Sequence, residues 1–542
     1  ATEGLSQKQV RKLIADNLDE LLEAVAGEEV LPAELRDRAG VPALPEALDW
    51  LHRPTSISRA EQGRRRLAFE ELFFLQLLHA LAHYETSRSR AGIALERRDT
   101  LVRPFYESLP FALTDAQRRV LSEIGQDMAA PARMHRLLQG DVGAGKTVVA
   151  LFAMLRAVEN GYQAALMAPT EILAEQHVRT LRGLLGDLPV EVQLLTGRMG
   201  AAERREALGR IASGEAQIAV GTHALIQEGV SYRKLGLVVV DEQHRFGVRQ
   251  RLALAEMGGA GARDGGDPDV LLMSATPIPR SLALTLYGDL DLSVLDERPP
   301  GRQPIRTGLR AESARPKVLE FIREQVAAGR QAYLVYPLVE ESQVMDLKSA
   351  TEEYERLRTE VFPELRLGLL HGQMPGEEKD AVMRTFAAGE IDVLVSTTVI
   401  EVGIDVANAT VMVIEHAERF GLSQLHQLRG RVGRGAERSY CVLLTGAGAA
   451  ERLRIFAGTE DGFAIAEADM RLRGQGDLFG ERQSGLPAFR FADLERDAEL
   501  LSIARGEARR LVERDPTLAA APEFREALER RYGDRVRIFQ TG

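Results

Sequence analysis

Residues 140–147 read GDVGAGKT, between the apolar run 136–139 and a helix-like stretch at 148–159. A glycine-rich loop between a strand and a helix is a severe constraint. It places backbone amides and a helix N-terminus around one point, as an anionic phosphate requires. Gly140, Asp141, Val142, Gly143, Ala144, Gly145, Lys146 and Thr147 are therefore the expected phosphate-binding loop. Lys146 would neutralise β- and γ-phosphates, and Thr147 would ligate Mg2+. A chain built on this unit is an α/β protein with a parallel sheet.

The surrounding pattern agrees. From about residue 110, apolar runs end at Gln139, Ala168, Leu195, Val220, Val240 and Met273, with helix-like segments between most of them. A glycine- and aspartate-rich stretch at 258–269 reads as a surface loop, and the proline-rich stretch 296–304 as a break between lobes. The alternation then resumes, with apolar runs at 332–336, 367–370, 393–396, 411–414 and 440–444. Two sheet lobes of similar build are expected, flanked by helical sequence at residues 1–108 and beyond 446. Residues 66–85 carry leucines at helical spacing and predict a long amphipathic helix.

With 542 residues, one hydrophobic core is not enough. The single cysteine, Cys441, excludes an internal disulfide and a cysteine-rich zinc site, and suits a reducing compartment. No apolar run reaches the ~18 residues of a membrane span; the oiliest, 72–81, is broken by Gln76 and His79. The polar, acidic N-terminus does not fit a secretory leader. A net charge of −11 argues against a uniformly basic nucleic-acid binder, although local charge decides binding. Arginines cluster at 64–66, 429–434 and 505–514; charge alone reads these as solvated helix faces.

Further chemistry lies at other run ends. DEQH at 241–244 puts Asp241 where a carboxylate can hold Mg2+ and Glu242 where it can orient an attacking water. SATPIPR at 274–280 follows another buried run. QLRGRVGR at 427–434 holds Arg431 and Arg434 three apart, able to share one side of a helical turn. Arginines reaching a γ-phosphate from a second lobe stabilise transition-state charge.

Taken in order, LTDAQ at 113–117, GDVGAGKT, APTEILAEQH at 168–177, GTH at 221–223, DEQHRFGV at 241–248, SATPIPR, HGQM at 371–374, STTVIEVGIDV at 396–406 and HQLRGRVGRG at 426–435 resemble the superfamily 2 helicase motifs. The versions of the acidic motif and of the two last motifs are most similar to the RecG family of branched-DNA translocases. RLRGQGDLFGERQSG at 471–485 resembles the translocation motif that this family shares with transcription-repair coupling factors. The resemblance covers essentially the whole chain.

It implies two tandem recA-like lobes, at 109–297 and 298–446. Residues 1–108 would be a helical linker, and 447–542 a mostly helical translocation region. The family's oligonucleotide-binding wedge, which precedes the linker, is not among these residues, so a motor core is expected. ATP and Mg2+ are the implied cofactors. Gln117 would read adenine, Arg431 and Arg434 would act as arginine fingers, and Thr170, Thr222 and Thr398 would touch the DNA backbone. His244 would link nucleotide state to SATPIPR, and Arg473 and Gln483 would turn lobe motion into a push on DNA.

The implied partner is duplex or branched DNA, with fork regression and Holliday-junction branch migration as the tasks. Single-strand-binding protein is a further family partner. A monomer is expected, cytoplasmic and nucleoid-associated, with no membrane role. Two other readings compete, a transcription-repair coupling translocase and, from a different class, a protein-export ATPase. Gln243 and the N-terminal helical region favour the RecG resemblance.

Overall fold

Six consecutive buried residues, LGLVVV, make strand Leu235–Val240 the interior of a sheet covered on both faces, which suits parallel pairing. In the computed structural model this strand belongs to a seven-stranded sheet. Its members are β1 (His135–Gly140), β2 (Gln163–Met167), β3 (Val192–Leu195), β4 (Ile218–Gly221), β5 (Leu235–Val240), β6 (Asp269–Ser274) and β7 (Asp291–Leu295), in the order β3-β4-β2-β5-β6-β1-β7. From β3 across to β1 every neighbouring pair is parallel. The structure describes residues 6–88, 91–227, 229–242, 266–299, 303–337, 351–397, 406–435, 437–446, 451–473 and 489–533.

A second sheet of six strands follows: β8 (Arg306–Ala311), β9 (Gln331–Val335), β10 (Leu367–Leu370), β11 (Val393–Ser396), β12 (Ala409–Ile414) and β13 (Tyr440–Thr445). Its order is β10-β11-β9-β12-β13-β8, and all its pairs are parallel. Two parallel-sheet, recA-like lobes are thus present, as the alternating runs predict. The runs missed β7 and β8. Both lie at sheet edges and are only partly buried, so neither needs a continuous apolar sequence.

Parallel strands end together. In register, Gln139 of β1 stands beside Ser274 of β6, and Val240 of β5 beside Leu272 of β6. GDVGAGKT, DEQH and SATPIPR therefore leave three adjacent strands at the same edge, the carboxyl edge where open α/β sheets bind ligands. Thr170 and Thr222 follow β2 and β4 at that edge.

The chain divides into two compact units. Both lobes lie in the unit formed by Ala91–Ile278 and Leu292–Leu472. The other unit gathers Ala1–Arg90, Pro279–Asp291 and Arg473–Gly542, so the helix after SATPIPR (Arg280–Leu286) folds with terminal helices. Its axis is helix Ile57–His83, buried all round from Leu72 to His83. The leucine spacing predicts an amphipathic helix, but here helix Ala498–Arg514 and the 279–291 segment cover the remaining face. Gln76 and His79 interrupt the apolar run because they bond the carbonyls of Leu284 and Thr285, at 3.0 and 2.9 Å.

Arg510 and Arg514 are exposed, as a solvated face would have them, but Arg64, Arg66, Arg505 and Arg509 of these clusters turn inward. Arg66 is fully buried between Glu29 (2.6 Å) and Glu70 (2.5 Å), and Arg64 forks onto Asp497 (2.7 and 2.8 Å) while also pairing Glu61. Arg505 and Arg509 bond the Leu290 carbonyl (3.0 Å) and Asp291 (2.8 Å). Such charges enter a core only when paired.

The glycine-rich stretch before β6 also ends earlier than expected. Residues 258–265 lie outside the described residues, but Asp269 already belongs to β6 and is fully buried, accepting a 2.7 Å bond from the Met134 amide. Burial pushes its carboxyl up to about 8, against the smaller opposing effects of that bond and of Arg133. A carboxyl raised in the folded state stabilises below its ordinary value and loses that contribution as pH rises through about 8. Asp269→Asn keeps the acceptor and removes the titration. Urea midpoints at pH 6 and pH 9 should show the variant gaining at least ~1 kcal/mol on the wild type across that interval; parallel pH profiles would contradict it.

Candidate active site

Helix Lys146–Glu159 starts from Gly145, whose φ of +87° is left-handed and open to glycine at little cost. A side chain at Gly145 would also meet Gln117 Nε2 at 2.3 Å. Gln117 is held at both ends of its amide. Its oxygen accepts from the Thr114 amide (3.0 Å), closing a capping box on helix Asp115–Ala129, and its nitrogen donates to the Ala144 carbonyl (3.0 Å). The glutamine is thus a strut under the glycine-rich loop.

The Lys146 ammonium donates to the carbonyls of Gly140 (2.7 Å) and Asp141 (3.0 Å), curling over its own loop. Burial lowers its pKa, opposed by the charges of Glu242, Asp241 and Asp141. Asp241 leaves β5 with its amide bonded to the Met167 carbonyl at 2.8 Å. Burial alone would raise its carboxyl, yet His177 Nε2, 2.8 Å away, and Lys146 leave it below the usual range. Glu242 behaves oppositely. Burial and the Asp241 charge raise it, against Lys146, Arg431 and a bond from the Ala275 backbone of SATPIPR. Its φ of +52° is strained for a residue with a side chain. The pKa values of two adjacent carboxyls are thus driven in opposite directions, Asp241 down and Glu242 up.

The second lobe supplies the arginines. Helix Leu422–Arg429 is capped at Gly430, so Arg431 and Arg434 stand on the turn beyond it rather than on a shared helical face. Arg431 acts electrostatically on Glu242 and Arg434 on Lys146. Lys146, Asp241, Glu242, Arg431 and Arg434 therefore share one electrostatic neighbourhood. Arg429, the first arginine of the cluster, is buried instead. It donates to the carbonyls of Phe456 (3.1 Å) and Thr459 (2.8 Å) and lies 4.2 Å over the Phe456 ring.

Other bonds join the lobes. Arg198, paired with Glu171 of its own lobe (3.2 Å), reaches Asp380 (2.6 Å), Arg384 reaches Glu175 (2.7 Å), and His426 Nε2 meets Asp141 Oδ1 at 2.6 Å. His177 and His426 both fall inside recognised motifs. Nothing in their spacing pairs them with acids 64 and 285 residues away.

The donors fit a nucleoside triphosphate with Mg2+. A glycine-shaped cradle is closed to a Cβ, a lysine sits over it, and an ionised aspartate stands in the same charge field, with the Thr147 hydroxyl on the loop. Thr170 caps helix Glu171–Leu185 through a 3.4 Å bond from the Leu173 amide. Thr222 is buried at 3% exposure, so its hydroxyl is not on the surface. Arg473 ends helix Gly462–Arg473. Gln243, His244, Thr398 and Gln483 lie outside the described residues.

Family models match in three places: DEAD/DEAH box helicase over residues 114–285, helicase conserved C-terminal domain over 316–436, and ATP-dependent DNA helicase RecG, domain 3, C-terminal, over 459–532. The ATP-dependent DNA helicase RecG of Synechocystis is 48% identical over 98% of this chain and 63% of its own length. The chain thus spans under two thirds of that relative. The Escherichia coli K12 protein of the same name is 47% identical, over 96% of this chain and 76% of its own. A solved RecG bound to a three-way DNA junction superposes with a TM-score of 0.73 at 46% identity, over 92% of this chain and 65% of its own. At such identity along nearly its full length, with three quarters of the Escherichia coli relative covered, the chain belongs to the RecG family.

Proposed function

We propose that this chain is the motor core of an ATP-driven translocase of duplex DNA, acting at branches in fork regression and Holliday-junction migration during repair and recombination. The observation that carries the reading is the convergence of Lys146, Asp241 and Glu242 from one lobe with Arg431 and Arg434 from the other. A site assembled from two lobes is made and unmade by their relative motion, which is what a motor needs. The solved relative's three-way junction supports branched DNA as the substrate.

Bound in the loop, ATP with Mg2+ would supply the γ-phosphoryl group and neutralise part of its charge. Lys146, which bonds the Gly140 and Asp141 carbonyls here, would turn to the phosphate oxygens. Thr147 and Asp241 would hold the metal, and His177 keeps the Asp241 carboxylate oriented. Glu242, raised and close to Arg431, takes the proton of the attacking water. Arg431 and Arg434 stabilise charge in the transition state. Gln117 supports the loop and reads adenine from the same position. Thr170, Thr222 and Thr398 follow the DNA backbone, Thr222 through its main chain because its hydroxyl is buried.

In this reading residues 1–108 are a helical linker, 109–297 and 298–446 the two motor lobes, and 447–542 the translocation region with Arg473 and Gln483. The chain acts as a cytoplasmic, nucleoid-associated monomer, with single-strand-binding protein as a partner at forks.

Lys146→Ala should reduce ATP turnover at least ~100-fold while leaving the far-UV circular dichroism unchanged; turnover near wild type would end this assignment of the site. On model forks, the 542-residue chain alone should hydrolyse ATP yet convert few forks to regressed product in a gel assay. Efficient regression would show that these residues need no wedge to split a fork.

A further inference from the structure

The phosphate loop carries an acid, Asp141, directly after its first glycine. A carboxylate there opposes the anion that the loop is built to hold, so its partner matters. That partner comes from the other lobe. His426 is 4% exposed and stands between two groups with fixed roles. Arg429 Nη2, which can only donate, lies 3.2 Å from His426 Nδ1. Nδ1 therefore accepts, Nε2 carries the proton, and Nε2 donates to Asp141 Oδ1 at 2.6 Å.

Both ends of this line are anchored. Asp141 Oδ1 also accepts from the Val142 amide (2.6 Å), and Asp141 Oδ2 faces Arg298 Nη2 at 3.9 Å. Arg429 is held by the carbonyls of Phe456 and Thr459. The turn bearing Arg431 and Arg434 begins immediately after Arg429. It is pressed onto the loop at Gly430, where a Cβ would lie 3.1 Å from Val142 Cβ, and Arg434 Nε closes it onto the Gly430 carbonyl at 3.2 Å.

We infer that His426 is a positioning residue, which ties the phosphate loop through Asp141 to Arg429 and so sets where Arg431 and Arg434 stand over that loop. This deepens the proposed ATP-hydrolysing reading and rests on it. Closure of the lobes then delivers the arginines and masks the one negative charge of the loop in a single movement. His426 acts through the arginines and touches no reacting atom.

The test compares wild type, His426→Ala, His426→Gln and Arg431→Ala, with His426→Ala repeated in the Arg431→Ala background. Turnover is measured with duplex DNA, by steady-state and single-turnover hydrolysis, per site counted with a fluorescent ADP analogue. His426→Ala should lower kcat about 10- to 100-fold with KM for ATP within about threefold. His426→Gln can donate to Asp141 and accept from Arg429, and should recover most of the loss. In the Arg431→Ala background His426→Ala should cost less than about twofold, because the group it positions is already gone. A kcat for His426→Ala within twofold of wild type, a glutamine no better than alanine, or an undiminished loss in the Arg431→Ala background would each overturn the inference. Absence of turnover in the wild type would remove the reading of the site and this inference together. Wild-type turnover with His426→Ala unaffected removes the inference alone.

Discussion

Parallel pairing with both faces buried is the constraint from which the rest follows. A parallel strand covered on each side must be apolar along its length, so its polar business is pushed to its ends. Because neighbours run the same way, those ends collect at one edge. β1, β5 and β6 end side by side, and the loop of Lys146, the acids Asp241 and Glu242 and the SATPIPR turn come from that edge without any further device. The second sheet repeats the parallel pairing, but its arginines stand on the turn after helix Leu422–Arg429 rather than at a strand end.

Charge then distinguishes residues that the topology merely gathers. Asp241 and Glu242 are adjacent in the chain yet titrate in opposite directions, because His177 and Lys146 offset the burial of one while burial and its neighbour's charge raise the other. That asymmetry suits a pair in which one carboxylate holds a cation and the other handles a proton. The groups that set it, His177, Lys146 and Asp241, all belong to the first lobe, and Arg431 of the second lobe opposes the rise at Glu242. An isolated first lobe would hold the loop and the acids but lack Arg431 and Arg434.

What could be read from residue order follows the same physics. β1 to β6 and all but the first strand of the second sheet are visible as apolar runs because burial on two faces demands them. β7, DLSVL, and β8, RTGLRA, are edge strands with no such demand, and their composition looks like loop. The strand-end motifs were legible because glycine, lysine and acid occur there in a spacing that few other structures need. The solvated-face reading fails for the arginines that find internal partners and holds for Arg510 and Arg514. Whether Arg66 or Arg64 is buried depends on where Glu29 and Asp497 arrive, 37 and 433 residues away, which no local pattern encodes. Partnership across 285 residues hid the His426–Asp141 bond in the same way, although both residues lie in conspicuous motifs.

Turnover of ATP by this two-lobe site in response to duplex DNA is the expectation on which the proposed function stands. It is tested most directly by one series of steady-state hydrolysis rates, taken without DNA and with single strand, duplex or a three-way junction, and with an unfolded polypeptide as control cargo. Hydrolysis should be slow without DNA, clearly stimulated by duplex and by the junction, and not stimulated by polypeptide. A rate indifferent to DNA, or one raised by unfolded polypeptide instead, would contradict it.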